Sequence, residues 1–149
     1  MLKRLSFTPV LDTGIYGAGD TLFVTTAAGQ LTHIGPAALL RAVSIHDKDD
    51  EGAAIKLYFL RENVVFGVLN EAPSISDVNS VYVTGKLAVA SADYLDLTGS
   101  KHAFYSDLAI PLLGADGTGI VYVAATADAT PTYTAATDIV IDLWFEQVP

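Results

Sequence analysis

Alternation of apolar and polar residues with a period of two restricts this chain more than any other feature. In residues 139–146 the odd-numbered positions are all large and apolar, whereas the even-numbered positions include Asp142, Trp144 and Glu146. Successive side chains of a strand point to opposite faces, so this pattern is typical of a strand with one buried face. The segment is therefore predicted to be a half-buried strand near the end of the sequence.

The same pattern recurs along the chain, with turn-forming residues between the runs. Residues 54–60 and 81–90 alternate in this way, and Tyr58 and Tyr82 occupy their outward positions. Eight to ten short strands at this spacing predict an all-β sandwich or barrel. The other predicted strands are residues 5–10, 20–26, 30–34, 39–46, 94–97, 103–110 and 119–126.

Helix signals are sparse. Ser74 followed by Asp77 resembles a capping box and predicts one or two turns up to about Ser80. Residues 36–40 could begin a helix, but the β-branched residues that follow favour a long strand. The predicted fold class is thus all-β, a single-domain antiparallel β-sandwich with at most one short helix.

The composition indicates one soluble domain with more apolar surface than its core requires. The chain has 149 residues, of which 51% are hydrophobic and 17% charged, and this composition excludes intrinsic disorder. No uncharged apolar run approaches the roughly 18 residues of a membrane-spanning helix. The net charge of −9 argues against a basic face for nucleic acid. We therefore expect no membrane or nucleic-acid partner, and expect part of the apolar surface to be buried against another protein chain.

The first ten residues are apolar and basic, unlike the acidic remainder. They resemble a weak signal peptide, but the apolar run is short and contains Pro9, so secretion by that route is not expected. The segment is either a frayed terminus or an arm that docks on a neighbouring subunit. The predicted division is an arm over residues 1–10 and a sandwich over residues 11–149. The arm would bury apolar side chains and place basic ones against carboxylates, the residues concerned being Leu2, Lys3, Arg4, Leu5 and Phe7.

An acidic segment is the nearest approach to a metal-binding motif. Asp47, Asp49 and Glu51 occupy the first, third and fifth positions of a calcium loop, with Gly52 at the sixth. An EF-hand also needs a glutamate at position twelve, where this chain has Tyr58. The favoured interpretation is an acidic hairpin tip, and no metal or cofactor is predicted.

Catalytic patterns are equally weak. The chain has no cysteine, and the spacing of His33, His46 and His102 matches no zinc signature. Ser44, His46 and Asp47 are close in sequence, but a triad is defined by geometry and not by proximity along the chain. Paired acids such as Asp93 and Asp96 are expected by chance in so acidic a chain. The protein is therefore predicted not to be an enzyme.

Trp144 is the sole tryptophan and leaves three interpretations open. It could fill the core on a second buried face of the sandwich. It could anchor a protein interface, as exposed tryptophan and tyrosine often do, together with Tyr58 and Tyr82. The same aromatic side chains could instead form a platform for a sugar.

Several segments together resemble small virion proteins of tailed bacteriophages, over most of the chain. The C-terminal Thr-Pro-Thr-Tyr with the strand after it is the most specific part. The matching segments are YGAGDTL at residues 16–22, SIHDKD at 44–49, AIKLYF at 54–59, ATPTY at 129–133 and DIVIDLWF at 138–145.

The resemblance implies a capsid decoration, or cement, protein with a jelly-roll or related sandwich fold. Such a protein sits on the outside of the phage head, commonly as a homotrimer, and stabilises contacts between major capsid subunits. The expected partners are the major capsid protein and further copies of this chain, and the expected location is the virion exterior after synthesis in the host cytoplasm. The alternatives are a head-fibre or tail-associated virion domain, and a carbohydrate-binding module.

Overall fold

The computed structural model describes residues 2–31 and 37–147. Within these residues the chain forms ten strands, one α-helix of four residues and one 3₁₀ turn at Ser91–Asp93. The helix, α1, spans Asp77–Ser80. The strands are β1 (Leu2–Phe7), β2 (Thr21–Gln30), β3 (Ala37–Asp47), β4 (Ile55–Leu60), β5 (Val83–Val89), β6 (Tyr94–Asp96), β7 (Lys101–Tyr105), β8 (Ile110–Leu113), β9 (Ile120–Ala127) and β10 (Ile139–Gln147).

The strands form two antiparallel sheets. The first sheet has the order β1-β10-β3-β7-β6, and β8 pairs with the part of β3 that β7 leaves free. The second sheet has the order β2-β9-β4-β5. The predicted all-β sandwich is confirmed.

The pairing is nested, as in a jelly roll. β1 pairs with β10, β2 with β9, β3 with β7 and β8, and β4 with β5. The chain therefore runs as one long antiparallel hairpin, closed between β4 and β5, that winds between the two sheets. Eight strand positions in two such sheets define the jelly roll. β7 and β8 share one position, and β6 is an additional edge strand.

The core lies between the sheets and is built from the alternating residues. In β10 the side chains of Ile139, Ile141, Leu143 and Phe145 are buried, and those between them are half-buried. β4 shows the same inward and outward alternation. The strands predicted at residues 139–146 and 54–60 are confirmed with their faces.

One predicted strand, at residues 103–110, is two strands in the structure. β3 has a bulge at Arg41, since Trp144 pairs with Ala42 and Phe145 pairs with Leu40. Opposite this bulge the chain leaves the ladder, and Leu108 N–H donates to the Arg41 carbonyl at 3.0 Å. The break between β7 and β8 therefore follows from an irregularity in the neighbouring strand.

Other helix and strand boundaries also differ from the predicted ones. The helix cap is Ser76, whose hydroxyl accepts a hydrogen bond from Asn79 N–H at 3.2 Å, so the prediction of Ser74 as the cap was wrong. The long strand predicted after residue 36 is confirmed as β3. The segment predicted as a strand at residues 5–10 pairs instead over Leu2–Phe7. Of the strand predicted at residues 30–34, residues 32–34 lie outside the described part of the chain.

Two of the resemblance segments lock together around a pair of buried tyrosines. The Tyr16 and Tyr133 rings meet edge to face with centroids 6.1 Å apart, and each side chain is 1% exposed. The Tyr16 hydroxyl donates to the Leu22 carbonyl at 2.8 Å and accepts from Asp12 N–H at 2.7 Å. Tyr16 N–H donates to the Pro131 carbonyl at 3.0 Å. These segments hold the loops at one end of the sandwich together.

Replacing Tyr16 by Phe should lower the free energy of unfolding by about 1–3 kcal/mol, because a buried carbonyl and a buried N–H each lose their partner. Urea denaturation followed by circular dichroism measures the change. Tyr122→Phe, at a half-buried tyrosine, is the matched control and should stay within about 0.5 kcal/mol of the wild type. Equal effects of the two substitutions would contradict this role for the Tyr16 hydroxyl.

The buried tyrosines also predict a loss of stability in alkali. Burial raises the pKa of Tyr16 to about 12 and that of Tyr105 to about 12, and it raises the pKa of Tyr94 and Tyr133 as well. A raised folded-state pKa contributes stability that is complete below the unfolded pKa of about 10 and is lost as the pH rises toward the folded value. Urea denaturation should therefore show falling stability between about pH 10 and 12. A spectrophotometric titration of the folded protein in which all tyrosines ionise with one midpoint at about pH 10 would contradict this.

Candidate functional site

The two outer faces of the sandwich differ in what covers them. On the second sheet, the connection between β4 and β5 folds back over the strands. Leu60, Phe66 and Ala124 form a small buried cluster there, and the Tyr58 ring lies against Phe66 with centroids 5.0 Å apart. Tyr58 is thus packed within its own chain.

Tyr82 is held by the same connection. The Arg61 guanidinium lies over the Tyr82 ring, 5.3 Å from its centroid, and Arg61 N–H donates to the Tyr82 carbonyl at 3.0 Å. The two tyrosines predicted as surface anchors therefore lie on the second sheet, away from Trp144 in the first sheet. The single aromatic surface that would join all three residues does not form.

The outer face of the first sheet stays open in the described part of the chain. Strand register places Arg4 opposite Trp144 and Trp144 opposite Ala42. Leu2 is 54% exposed and Phe104 is 63% exposed. We call this surface, formed by Leu2, Arg4, Ala42, Phe104 and Trp144, the Trp144 face. Large apolar side chains from β1, β10 and β7 are grouped on it, with Ala42 of β3 between them.

A shallow groove of about 430 Å³ runs across the Trp144 face. Leu2, Ala42, Phe104 and Trp144 line it, so its walls are almost wholly apolar. An adjoining groove of about 400 Å³ contains the ion pair between Arg41 and Glu146, with Arg41 Nε 2.8 Å from Glu146 Oε2. The arrangement is an apolar centre with a charged rim, as in protein interfaces.

Two histidines extend the open face toward the other edge of the sheet. His46 and His102 pair across β3 and β7, and their ring centroids are 4.0 Å apart. Phe104 stacks on His102 with a centroid distance of 5.6 Å. Burial, followed by the neighbouring His102, lowers the pKa of His46. His33, the third histidine, lies outside the described residues.

The N-terminal segment is part of the sandwich over residues 2–7. β1 pairs with β10 along its whole length. Phe7 is buried in this chain's own core and Leu5 packs against that core, so neither offers its side chain to a neighbour. Lys3 is half-buried, and Leu2 and Arg4 are exposed. A docking role for this segment stays a prediction, and Leu2 and Arg4 carry it.

Sequence reasoning missed Phe104 and Ala42. Phe104 lies inside a predicted strand, and its outward direction could have been read from the buried Ala103 beside it. Ala42 gave no such signal, because its position depends on the bulge at Arg41. Trp144 is half-buried on the outer face and does not enter the core, so the core interpretation was wrong.

The acidic segment binds its own chain. Asp47 accepts hydrogen bonds from Gly52 N–H at 2.8 Å and Asp49 N–H at 2.9 Å, and burial raises its pKa. Asp49 accepts from the backbone N–H and the hydroxyl of Thr134, each at 2.8 Å. The segment joins β3 to β4 in different sheets, so the predicted hairpin was wrong. The described residues contain no cluster of three or more His, Asp or Glu side chains suited to a metal ion.

The other catalytic candidates have structural surroundings too. Ser44 and His46 share the outer face of β3, while the Asp47 carboxylate is turned to backbone N–H groups of its own loop. Asp93 accepts a hydrogen bond from the Tyr105 hydroxyl, and Asp96 accepts from Thr98 N–H. No triad geometry arises from these groups in the described residues.

Comparison with known proteins gives structural neighbours only. No family model matches the chain, and no curated protein matches it either. In the described residues, no helix has the length and apolarity to cross a membrane.

The structural neighbours come from virus particles. A chain in the structure of tomato aspermy virus is 12% identical with a TM-score of 0.43, and the match covers 100% of this chain and 78% of that chain. The VP2 subviral particle of infectious bursal disease virus is 12% identical with a TM-score of 0.32, and the match covers 99% of this chain and 38% of that chain. The Gx strain of the same virus is 14% identical with a TM-score of 0.21, covering 100% and 41%. No residue role is carried over from these proteins.

The Trp144 face predicts a contrast between two phenylalanines. Phe104→Ala should change the free energy of unfolding by less than about 0.5 kcal/mol, because its side chain is 63% exposed. Phe145→Ala, at a side chain that is 2% exposed, should cost about 3–5 kcal/mol. Urea denaturation of both variants measures the difference. A large loss from Phe104→Ala would show that this ring serves the fold and not a surface.

Proposed function

We propose that this protein is a non-enzymatic structural component of a virion that decorates the outside of a tailed-phage head. The observation that carries the proposal is the Trp144 face. An exposed phenylalanine, an exposed leucine and the sole tryptophan line one groove on an otherwise acidic protein. Grouped apolar side chains of this kind mark interaction surfaces.

The partner on this face is the major capsid protein. Trp144 and Phe104 are the anchors, because aromatic side chains contribute most of the binding energy of many interfaces. Arg4 stands beside Trp144 in the strand register and supplies a positive charge at the rim. The resemblance of five segments to small virion proteins supports the same partner.

Attachment in many copies turns a modest interface into a stable one. Each copy buries a small apolar area, and a homotrimer makes three such contacts at once, which multiplies the effective affinity. A decoration protein of this kind ties neighbouring capsid subunits together without any chemical step. The protein therefore acts by binding energy alone.

A double variant, Phe104→Ser with Trp144→Ser, tests the proposed face. Loss of two anchors at about 2 kcal/mol or more each should weaken binding to expanded heads by well over tenfold. Co-sedimentation of purified protein with heads that lack it measures the binding. Val78→Ser is the matched control, because Val78 is 78% exposed but lies in α1, between β4 and β5 of the other sheet.

Point substitutions are the right test for the N-terminal segment. Deleting residues 1–10 would remove β1 from the first sheet and confuse folding with docking. Leu2→Ser and Arg4→Glu leave the strand in place.

Unchanged binding to heads by the variant that carries both Phe104→Ser and Trp144→Ser would refute the proposed docking face. Binding to tail components would favour the tail-associated alternative, and glycan binding that Trp144→Ser abolishes would favour a carbohydrate module.

A further inference from the structure

The paired histidines on the outer face of the first sheet have the arrangement of a chelating pair. His46 of β3 stands directly opposite His102 of β7 in the ladder. Both side chains are half-buried and lie on the face that no described segment covers. A neutral imidazole has one ring nitrogen free to bind a metal, so two adjacent rings offer two ligands.

We propose that His46 and His102 together bind a divalent transition-metal ion of the class that prefers imidazole, such as Ni²⁺, Cu²⁺ or Zn²⁺. Water completes the coordination. The proposal is independent of the docking function proposed above.

The ring geometry suits two ligands on one ion. A metal–nitrogen bond of about 2.0–2.1 Å places the ion about 3 Å from each ring centroid. Two imidazoles in neighbouring coordination positions then have centroids about 4–5 Å apart. The observed separation is 4.0 Å with the rings tilted by 36°. Binding of one ion requires side-chain rotations that direct one nitrogen of each ring at it.

The pair is held in position before any ion arrives. The backbones of β3 and β7 are fixed by five consecutive residue pairs from Val43–Tyr105 to Asp47–Lys101. Phe104 stacks on His102 and restricts its ring. Because the two side chains lose little conformational freedom on binding, more of the metal–ligand interaction energy appears as affinity.

A carboxylate lies on the same face of the sheet as the histidine pair. Asp142 pairs with Ser44, which is two residues from His46 on the same face of β3. The Asp142 Oδ1 atom is buried and has no hydrogen-bond partner among the described residues. Asp142 adds a negative charge to this face of the sheet, whereas Lys48 places a positive charge near His46.

Calorimetric titration of Ni²⁺ into the untagged full-length protein tests the proposal. We expect saturable binding of about one ion per chain, and a rise in the melting temperature with Ni²⁺ concentration, because the ion binds the folded state. His46→Asn and His102→Asn should each weaken binding by at least about tenfold, the lower end of what even an outer partner of a metal site contributes. His33→Asn, at the remaining histidine, is the matched control and should bind as the wild type does.

Two outcomes of the titration would contradict the proposed metal site. Absence of saturable binding, or binding that survives both His46→Asn and His102→Asn, would overturn the site. If one of these variants unfolds, the other decides, because each removes a different ligand. Asp142→Asn removes a negative charge from this face and keeps both histidines. We expect it to weaken Ni²⁺ binding less than loss of either histidine.

Discussion

The ladder around β3 is the contact on which the rest of the structure depends. β3 is the longest strand and pairs with β10 on one side and with both β7 and β8 on the other. Its inward side chains, among them Val43 and Ile45, fill the core. Its outward side chains include Ala42 in the apolar groove and His46 in the histidine pair. One strand therefore fixes the first sheet, the core beneath it and the two candidate sites above it.

Much of the fold could be predicted, because alternation reports burial directly. Residues 55–59 and 139–146 alternate in burial, and their faces are as the pattern indicates. The errors fall where a neighbouring strand decides the outcome. The bulge at Arg41 breaks one predicted strand into β7 and β8, and no local signal in residues 103–110 reports an irregularity in another strand. The nested pairing that makes the sandwich a jelly roll is likewise a long-range property.

The candidate sites were less accessible to sequence reasoning than the fold. Trp144 and Leu2 could be singled out by residue type, but their meeting with Phe104 depends on register between four strands. Tyr58 and Tyr82 had the same outward signal as Trp144, yet the β4–β5 connection covers them. His46 and His102 are 56 residues apart in sequence, and only the β3–β7 ladder shows that they face each other.

The cover on the second sheet has a consequence for assembly. A sandwich with binding surfaces on both sides can stack without limit, whereas one with a single binding side has no binding surface left after its first contact. The β4–β5 connection packs Phe66 against Tyr58 and Arg61 against Tyr82 on the side opposite the Trp144 face. In the docking proposed above, a copy attached through the Trp144 face would present this connection to the solvent. Attachment by that face alone would give a layer one molecule thick.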